Sequence, residues 1–397
     1  MGRAGGNYWP PSADGKPTLM APHFWLYSHN FTHTGAPLVL AAIARELASE
    51  GWRRQLRLLS WGGLHDRVHT QLRRELETEG LRCRVLDADQ RPPTPRPGDR
   101  LLLNSLALPV PIIETALDWL EQGQLRRLDW FAHEGNPSQL LPGDHWPRRL
   151  RPLLAAGRLK LRVPSQHSLA HYQAWLQYSG ADLAVQSPRL ELSGPRSQLL
   201  LQPLPSFESL RLQLTGMAGA GHKGHLWLLR LVQAVLKLRQ EGPLRPLELH
   251  FIGLETDPGA PLARELRFWG QALLGDKFHW TAHGPQALAL AAMARANIAV
   301  SCSRRETFSL VALEAMALGQ PLLRNRTGGW QEQLEAGITG FDLGEPGGDL
   351  RSEQVQLLHR LRDPQATPEA QLRAIGAQAR ERAKRFSQVR YSPWLLA

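Results

Sequence analysis

"NIAVSCSRRETFSLVALEAMALG", residues 297–319, divides into an apolar stretch, a polar loop and a second apolar stretch closed by glycine. "NIAVSCS" reads as a buried strand, and "SLVALEAMALG" reads as a helix that stops at Gly319. Two acids interrupt this otherwise core-building run, Glu306 and Glu314, with seven residues between them. The reading puts Glu306 in the loop and Glu314 on the second turn of the helix. The helix begins near Thr307 to Ser309, so its first backbone N–H groups and the positive end of its dipole are expected to face a cleft. That combination suits a phosphate group. On spacing alone, however, an exposed loop acid and a second acid paired with a nearby arginine are the better explanation, because isolated acid pairs are common.

The same alternation of strand and helix runs through the chain, which is the signature of a parallel α/β architecture. In the first half, "HFWLYSH" (23–29), "QLRLLSW", "RCRVLDA", "RLLLNSLA" (100–107), "RRLDWFAHE" (126–134) and "LKLRVPS" read as strands. "PLVLAAIARELASEG" (37–51) reads as a helix closed by Gly51, and "PIIETALDWLEQG" and "HSLAHYQAWLQYSG" as further helices. A Ser-, Pro- and Gly-rich stretch, "QSPRLELSGPRSQLLLQPLPS", marks a domain boundary. A second alternation starts at "LRLQLTGMAG". The organisation expected is an N-terminal arm over 1–20, a Rossmann-like acceptor-side domain over 21–195, a Rossmann-like nucleotide-binding domain over 196–380, and a closing helix over 381–397 that returns to the first domain. Ligands of such open sheets bind beyond the carboxyl ends of the strands.

A chain of 397 residues favours two domains over one. Its two cysteines, Cys83 and Cys302, lie far apart and outside any metal-ligand spacing, and suggest a reducing compartment and no disulfide framework. The polar start reads as a loose arm without a secretory signal, and no apolar stretch reaches membrane-spanning length. The expected location is therefore cytoplasmic. The formal charge of +11 comes mostly from dispersed arginines. Dispersed basic residues form a solvated face or attract anionic partners, such as nucleotide diphosphates or the acidic headgroups of a membrane surface. Nucleic acid is disfavoured, because no compact basic helix, zinc spacing or aromatic recognition signature is present.

"ETFSLVALEAMALGQPLL" followed by "TGGWQEQLEAGITGFDL" resembles the E-x7-E region of the retaining GT-B glycosyltransferases, family four. Ala315, Met316, Ala317, Gly319, Pro321, Gly328, Gly329, Glu332, Gly337 and Gly340 stand where that family carries its pattern. The resemblance implies two Rossmann-like domains facing across a cleft. It implies that Glu306 contacts donor-sugar hydroxyls, that Glu314 contacts the nucleotide ribose, and that the amides around Thr307, Phe308 and Ser309 hold the diphosphate. Ser309 stands where the family commonly has glycine, so its hydroxyl is expected to narrow the donor site or to bind phosphate.

The resemblance extends over most of residues 23–345. "YSHNFTHTGAPLVLAAIARELASEGW" (27–52) is similar to the family's first strand–loop–helix, and it implies that Gly35 and Ala36 lie against the donor phosphates. In "DWFAHEGNPS", His133 matches a histidine that lies against donor sugar and acceptor. In "LTGMAGAGHKGHLWLL", Lys223 matches the lysine that neutralises the diphosphate, while Ala218 replaces a customary arginine. Arg304, Arg305 and His222 are candidates for the missing cation. Thr281 to Gly284, with His283, correspond to a loop beside the nucleotide base.

The implied activity is transfer of a sugar from a nucleotide-diphosphate sugar to an acceptor hydroxyl with retained configuration, in glycan or polysaccharide biosynthesis. The implied catalytic residues are His133, Lys223 and Glu306. No cofactor or metal is expected, the nucleotide-sugar being a co-substrate and the acceptor a glycan or a lipid-linked glycan. Asp87 and Asp89 have a D-x-D spacing suited to a metal-bound diphosphate but precede "RPPTPRPGD" and read as solvated loop acids. Two other readings keep the fold: a catalytically weak nucleotide-sugar-binding or scaffolding protein, favoured by Ala218, and a nucleotide-sugar epimerase.

Overall fold

The computed structural model describes residues 21–61, 69–191, 198–199, 202–219, 221–239, 242–257 and 259–397. The arm expected over 1–20 lies outside these, as do residues 192–197, 200 and 201 of the Ser-, Pro- and Gly-rich stretch.

The first sheet contains β1 (Phe24–Ser28), β2 (Leu56–Trp61), β3 (Cys83–Leu86), β4 (Arg100–Leu103), β5 (Leu128–Phe131), β6 (Leu159–Val163) and β7 (Leu183–Val185). Their order is β3-β2-β1-β4-β5-β6-β7, all parallel. Helices cover both faces, so a central strand such as β1 is buried along its whole length, whereas β6 nearer the edge alternates, with Lys160 and Arg162 only partly buried between the buried Leu159, Leu161 and Val163. In β1, Phe24 and Leu26 pack with the helix α1 (Gly35–Leu47), whereas Trp25 and Tyr27 join the core of the opposite face. The helix α1 starts two residues before the expected Pro37. It ends at Leu47, where a wider turn, Ala48–Trp52, carries Gly51 at φ 98°. The strand expected over 126–134 is shorter too, so His133 and Glu134 lie in the loop after β5. Further helices of this half are α2 (His69–Thr78), α3 (Val110–Glu121), α4 (Pro137–Leu140), α5 (His145–Ala155) and α6 (Gln166–Leu176).

The second sheet contains β8 (Leu210–Thr215), β9 (Leu247–Leu254), β10 (Phe278–Ala282), β11 (Ile298–Ser301), β12 (Leu322–Arg324) and β13 (Gly340–Asp342). Its order is β10-β9-β8-β11-β12-β13, again parallel. One face packs on α7 (His225–Leu236), α8 (Pro261–Leu274) and α12 (Ser352–Arg362). The other packs on α9 (Gln286–Met293), α10 (Leu310–Ala317) and α13 (Glu369–Ser387), and the short α11 (Trp330–Gln333) precedes β13.

Strand order decides where ligands can bind. In the first sheet the connections reverse direction between β1 and β4, and in the second between β8 and β11. Loops leaving two such strands diverge and leave a crevice at their carboxyl ends. The loop after β1 leads into Gly35 and Ala36 at the start of α1, and the others hold Asn104 after β4, Lys223 after β8 and Glu306 after β11.

The last helix, α14 (Ser392–Leu396), returns to the first domain, where Tyr391, Trp394 and Leu395 are buried with α1. Glu46 of α1 fastens it. Its carboxylate accepts from the backbone N–H groups of Tyr391 (2.8 Å) and Ser392 (2.9 Å), from Arg390 Nε (3.0 Å) and from Arg189 Nη1. Burial alone would raise the Glu46 pKa, but these donors hold it below the usual carboxylate range. Glu46→Ala would leave two buried amides without their acceptor and take from Arg189 one of its partners, Ala42 O and Glu191 remaining, at a cost of roughly 3 kcal/mol. Urea unfolding should show that loss, and a change under about 0.5 kcal/mol would mean that the apolar contacts of Tyr391 and Leu395 suffice.

Candidate active site

Two loops meet beyond the carboxyl ends of β8 and β11. The first carries Lys223 and Gly224 into α7. A Cβ on Gly224 would lie 2.4 Å from Cys302 O and 2.7 Å from its sulfur, and the residue has φ 85°. Only glycine permits that approach. Cys302 Sγ donates to Gly224 O (3.4 Å), and Arg304 N donates to His222 O (2.7 Å). The loops are thus joined along their length, and Lys223 Nζ reaches Glu306 Oε2 at 2.9 Å.

Glu306 is partly buried, and burial would push its pKa up. The Lys223 ammonium, by charge and hydrogen bond, and then the Arg324 guanidinium outweigh this and hold it below the ordinary carboxylate value. The Gly328–Gly329 pair closes the other side. A Cβ on Gly328 would lie 2.1 Å from Glu306 O, and Gly329 N donates to Thr307 O (2.8 Å).

Helix α10 begins at Leu310 with Ser309 as its N-cap. The Ser309 hydroxyl accepts from Ala312 N (3.2 Å). Its hydrogen-bonding role is therefore in its own helix cap, a role the sequence reading did not give it. Phe308 is buried among apolar side chains, and Thr307 lies beside Gly135 of the first domain, where a Cβ would approach Thr307 Cγ2 to 3.0 Å. Glu314 lies on the second helical turn, as the spacing indicates. It accepts from Gln286 Nε2 and lines a shallow cavity with Leu38 and Val39, one turn beyond Gly35 and Ala36.

On the first-domain side, His133 stacks on Phe131 at 4.2 Å between ring centres. Its Nε2 is 2.9 Å from Asn104 Oδ1, while Asn104 Nδ2 donates to Ala36 O (2.8 Å). The imidazole therefore donates from Nε2 and keeps a lone pair at Nδ1. Burial, followed by the neighbouring His29, lowers its pKa to about 3. Glu134 does not share this role: it accepts from Ser105 Oγ and from Leu106 N (2.8 Å), bracing Ser105 at the rare φ of 145°. The domains also meet where Gln166 N, at the start of α6, donates to Glu332 Oε1 (2.7 Å).

Several residues stand apart from the Lys223–Glu306 pair. His283 donates its backbone N–H to Leu254 O (2.8 Å) beyond β10, and the Thr281 hydroxyl bonds His250 Nε2 (2.8 Å). Arg304 and Arg305 are exposed, Arg304 lining a cleft with Trp227 and Glu345. Asp87 and Asp89 are exposed in the turn after β3. A cavity of about 540 Å³ lined by Arg211, Glu248, His250 and His279 opens towards the amino ends of β8, β9 and β10, the wrong end for this crevice.

Three residues escaped the sequence reading. Asn104 was visible only as a polar break after an apolar strand. Glu255 fills the place at Ala218: its carboxylate accepts from Ala218 N (2.9 Å) and Gly219 N (2.7 Å). Arg324, at the end of β12, is fully buried within electrostatic reach of Glu306 and Glu332.

Residues 212–363 match the family described as glycosyl transferases group 1. The structure of HepE (Alr3699) from Anabaena in complex with UDP superposes with a TM-score of 0.67, at 16% identity over 93% of this chain and 96% of that one. The fold is GT-B. Sucrose-phosphate synthase from Thermosynechococcus elongatus follows at a TM-score of 0.63 and 18% identity, covering 95% of this chain and 97% of that one. A glycosyltransferase from Rickettsia africae gives 0.63 at 14% identity, covering 93% and 95%. No curated protein sequence matches the chain at a significant level. Among the described residues, no helix is long and apolar enough to cross a membrane.

These pKa directions have signed consequences. Because the Glu306 value is lowered on folding, its stabilisation is complete above the ordinary carboxylate value and is lost as pH falls through the folded one. His133, lowered from 6.5 to about 3, stays neutral in the folded protein while the unfolded chain takes up a proton. Stability should therefore fall as pH drops from about 6.5 towards 3. His133→Asn should lose less stability than the parent between pH 7 and pH 4 in urea unfolding, and equal losses would contradict a neutral buried His133.

Proposed function

We propose that the protein is a retaining, metal-independent glycosyltransferase that moves a sugar from a nucleotide-diphosphate sugar to an acceptor hydroxyl, in glycan or polysaccharide biosynthesis. The observation that carries this reading is the Lys223–Glu306 ion pair, at the mouth of α10 and on the crevice where the strand order reverses. The group 1 match over the same domain supports it.

In this reading Lys223 and the amides leading into α10, from Thr307 to Ser309, face the diphosphate. Glu306 accepts from the sugar hydroxyls and Glu314 from the ribose. Gly35 and Ala36 approach the phosphates from the opposite domain, His133 lies against the sugar, and His283 lies towards the base. The bond from the anomeric carbon to the diphosphate breaks as the bond to the acceptor oxygen forms on the same face. The acceptor proton passes to the departing phosphate, so no carboxylate nucleophile is needed. The negative charge gathering on the diphosphate is stabilised by donors already in place, which is the largest expected contribution to rate. HepE binds UDP and UDP-glucose, which makes UDP-sugars the first donors to try. The acceptor is a glycan or a lipid-linked glycan, and the basic balance of the chain suits a cytoplasmic protein working at an acidic membrane surface.

A second reading rests on Ala218 and Gly219, whose amides are occupied by the chain's own Glu255. A site with one fewer cation and two committed amides suits a nucleotide-sugar-binding protein with weak turnover. Thermal unfolding with UDP-, GDP- and ADP-sugars, followed by assays of donor hydrolysis and transfer, separates the two. A donor that binds the folded state raises its melting temperature. Glu306→Gln and Lys223→Ala should each lower turnover by about 100-fold or more while the fold is kept. Binding of a donor without hydrolysis or transfer to any acceptor would favour the second reading, and rearranged rather than transferred sugar would indicate an epimerase.

A further inference from the structure

Arg324 ends β12 with its side chain fully buried. Its Nη2 donates to Thr327 O (3.0 Å), whereas Nε and Nη1 have no hydrogen-bond partner among the described residues. A buried guanidinium with donors left over is costly unless an anion is near. Two acids are within electrostatic reach, Glu306 and Glu332. Glu332 is engaged with the N–H of Gln166 across the domain junction. Glu306 is held in the same small volume, because the turn that leaves Arg324 brings Gly328 against the Glu306 carbonyl. Burial lowers the Arg324 pKa to about 10, which still leaves it charged at neutral pH.

Glu306 therefore faces two cations of different kinds, with His222 adding a lesser positive influence. Lys223 touches it directly and is about a quarter exposed, at 28% of its side chain. Arg324 is buried and cannot leave. Under the proposed function, on which this inference rests, Lys223 must share its charge with an incoming diphosphate. Glu306 would then be a half-buried carboxylate that has lost part of its counter-charge, and its proton affinity would climb. A protonated Glu306 could no longer accept two hydrogen bonds from sugar hydroxyls.

We propose that Arg324 is a positioning residue for Glu306, the fixed counter-charge that keeps this carboxylate ionised and oriented while Lys223 turns to the donor diphosphate. Because it has no exposed surface, it acts through Glu306 and does not touch the sugar nucleotide.

The test compares the full chain with Arg324→Met and Arg324→Lys. Donor hydrolysis and transfer are followed from pH 5 to pH 9, together with UDP binding by calorimetry. The parent should be nearly flat down the acid side. In Arg324→Met the acid limb should move up towards neutrality, with activity falling about tenfold per pH unit below the new limb and recovering in alkali. Arg324→Lys should restore much of the parent profile. A merely structural arginine would lower activity equally at every pH, and that result would overturn the proposal. Should Arg324→Met fail to fold, the Arg324→Met, Glu306→Gln double variant decides. Recovery of folding when the carboxylate is removed supports the pairing, and failure to recover overturns it. A parent protein that binds none of UDP, GDP and ADP would remove the proposed function itself, whereas normal parental binding with an unshifted variant profile would remove only the role of Arg324.

Discussion

The ion pair between Lys223 and Glu306 joins side chains 83 residues apart, and the rest of the site depends on it. It exists because the second sheet places β8 beside β11, so the loops after these strands leave from adjacent positions. Adjacent strands alone would not bring the side chains within 2.9 Å. The close approach comes from Gly224, which lets the lysine loop lie directly on Cys302, and from Gly328, which presses Glu306 from the other side. Burial opposes a charged Glu306 and the lysine favours it, and the lowered pKa shows which wins. A carboxylate kept ionised at a helix entrance is an acceptor for hydroxyl groups, while the helix amides beside it are donors for an anion. One pair thereby gives the crevice both polarities.

The first domain contributes a different chemistry to the same crevice. Its reversal point lies between β1 and β4, and the side chain that spans it is Asn104. By accepting from His133 and donating to Ala36 O, Asn104 fixes one imidazole tautomer and ties the histidine to the start of α1. The imidazole is neutral and rigid, not a proton carrier at physiological pH. The domains are brought together by polar contacts at both ends: Gln166 with Glu332 beside the crevice, and the Glu46 cluster holding the chain's final helix on α1. A terminal segment that leaves the second domain and is built into the first restricts how far the crevice can open.

Much of this was legible in the sequence because it follows from local pattern. Short apolar-rich runs recur between helical patterns, so both sheets could be located from one strand–loop–helix unit and its repetitions, even though β6, β8 and β9 interleave polar residues such as Lys160, Arg211 and Glu248. The place of Glu306 before the helix and of Glu314 on its second turn followed from spacing and the Gly319 stop. What escaped depends on partners distant in sequence. Nothing in "FIGLETD" indicates that Glu255 would turn its carboxylate onto the amides of Ala218 and Gly219. Nothing in "QPLLRNRTGG" separates Arg324, which is fully buried, from Arg326 two residues later, which is exposed. The Ser309 hydroxyl caps its own helix, a role that becomes visible only once the first turn is fixed at Leu310.

Glu255 and Arg324 together explain how a crevice with Ala218 can still be balanced. A carboxylate over the Ala218 and Gly219 amides satisfies the donor of a buried residue and, beside it, that of an exposed one. It also adds negative charge on the β9 side of the lysine loop. Lys223, the cation in contact with Glu306, then has to serve both that carboxylate and any diphosphate that enters. Strong electrostatic stabilisation of a leaving group requires charges already fixed in position, because reorienting them during reaction consumes the gain. A second exposed arginine could meet that demand only by giving up hydration and freedom on binding. A guanidinium packed inside the fold has lost both already, its desolvation being part of the cost of folding. Placing the fixed charge beneath Glu306 leaves the mobile one, Lys223, available to the anion.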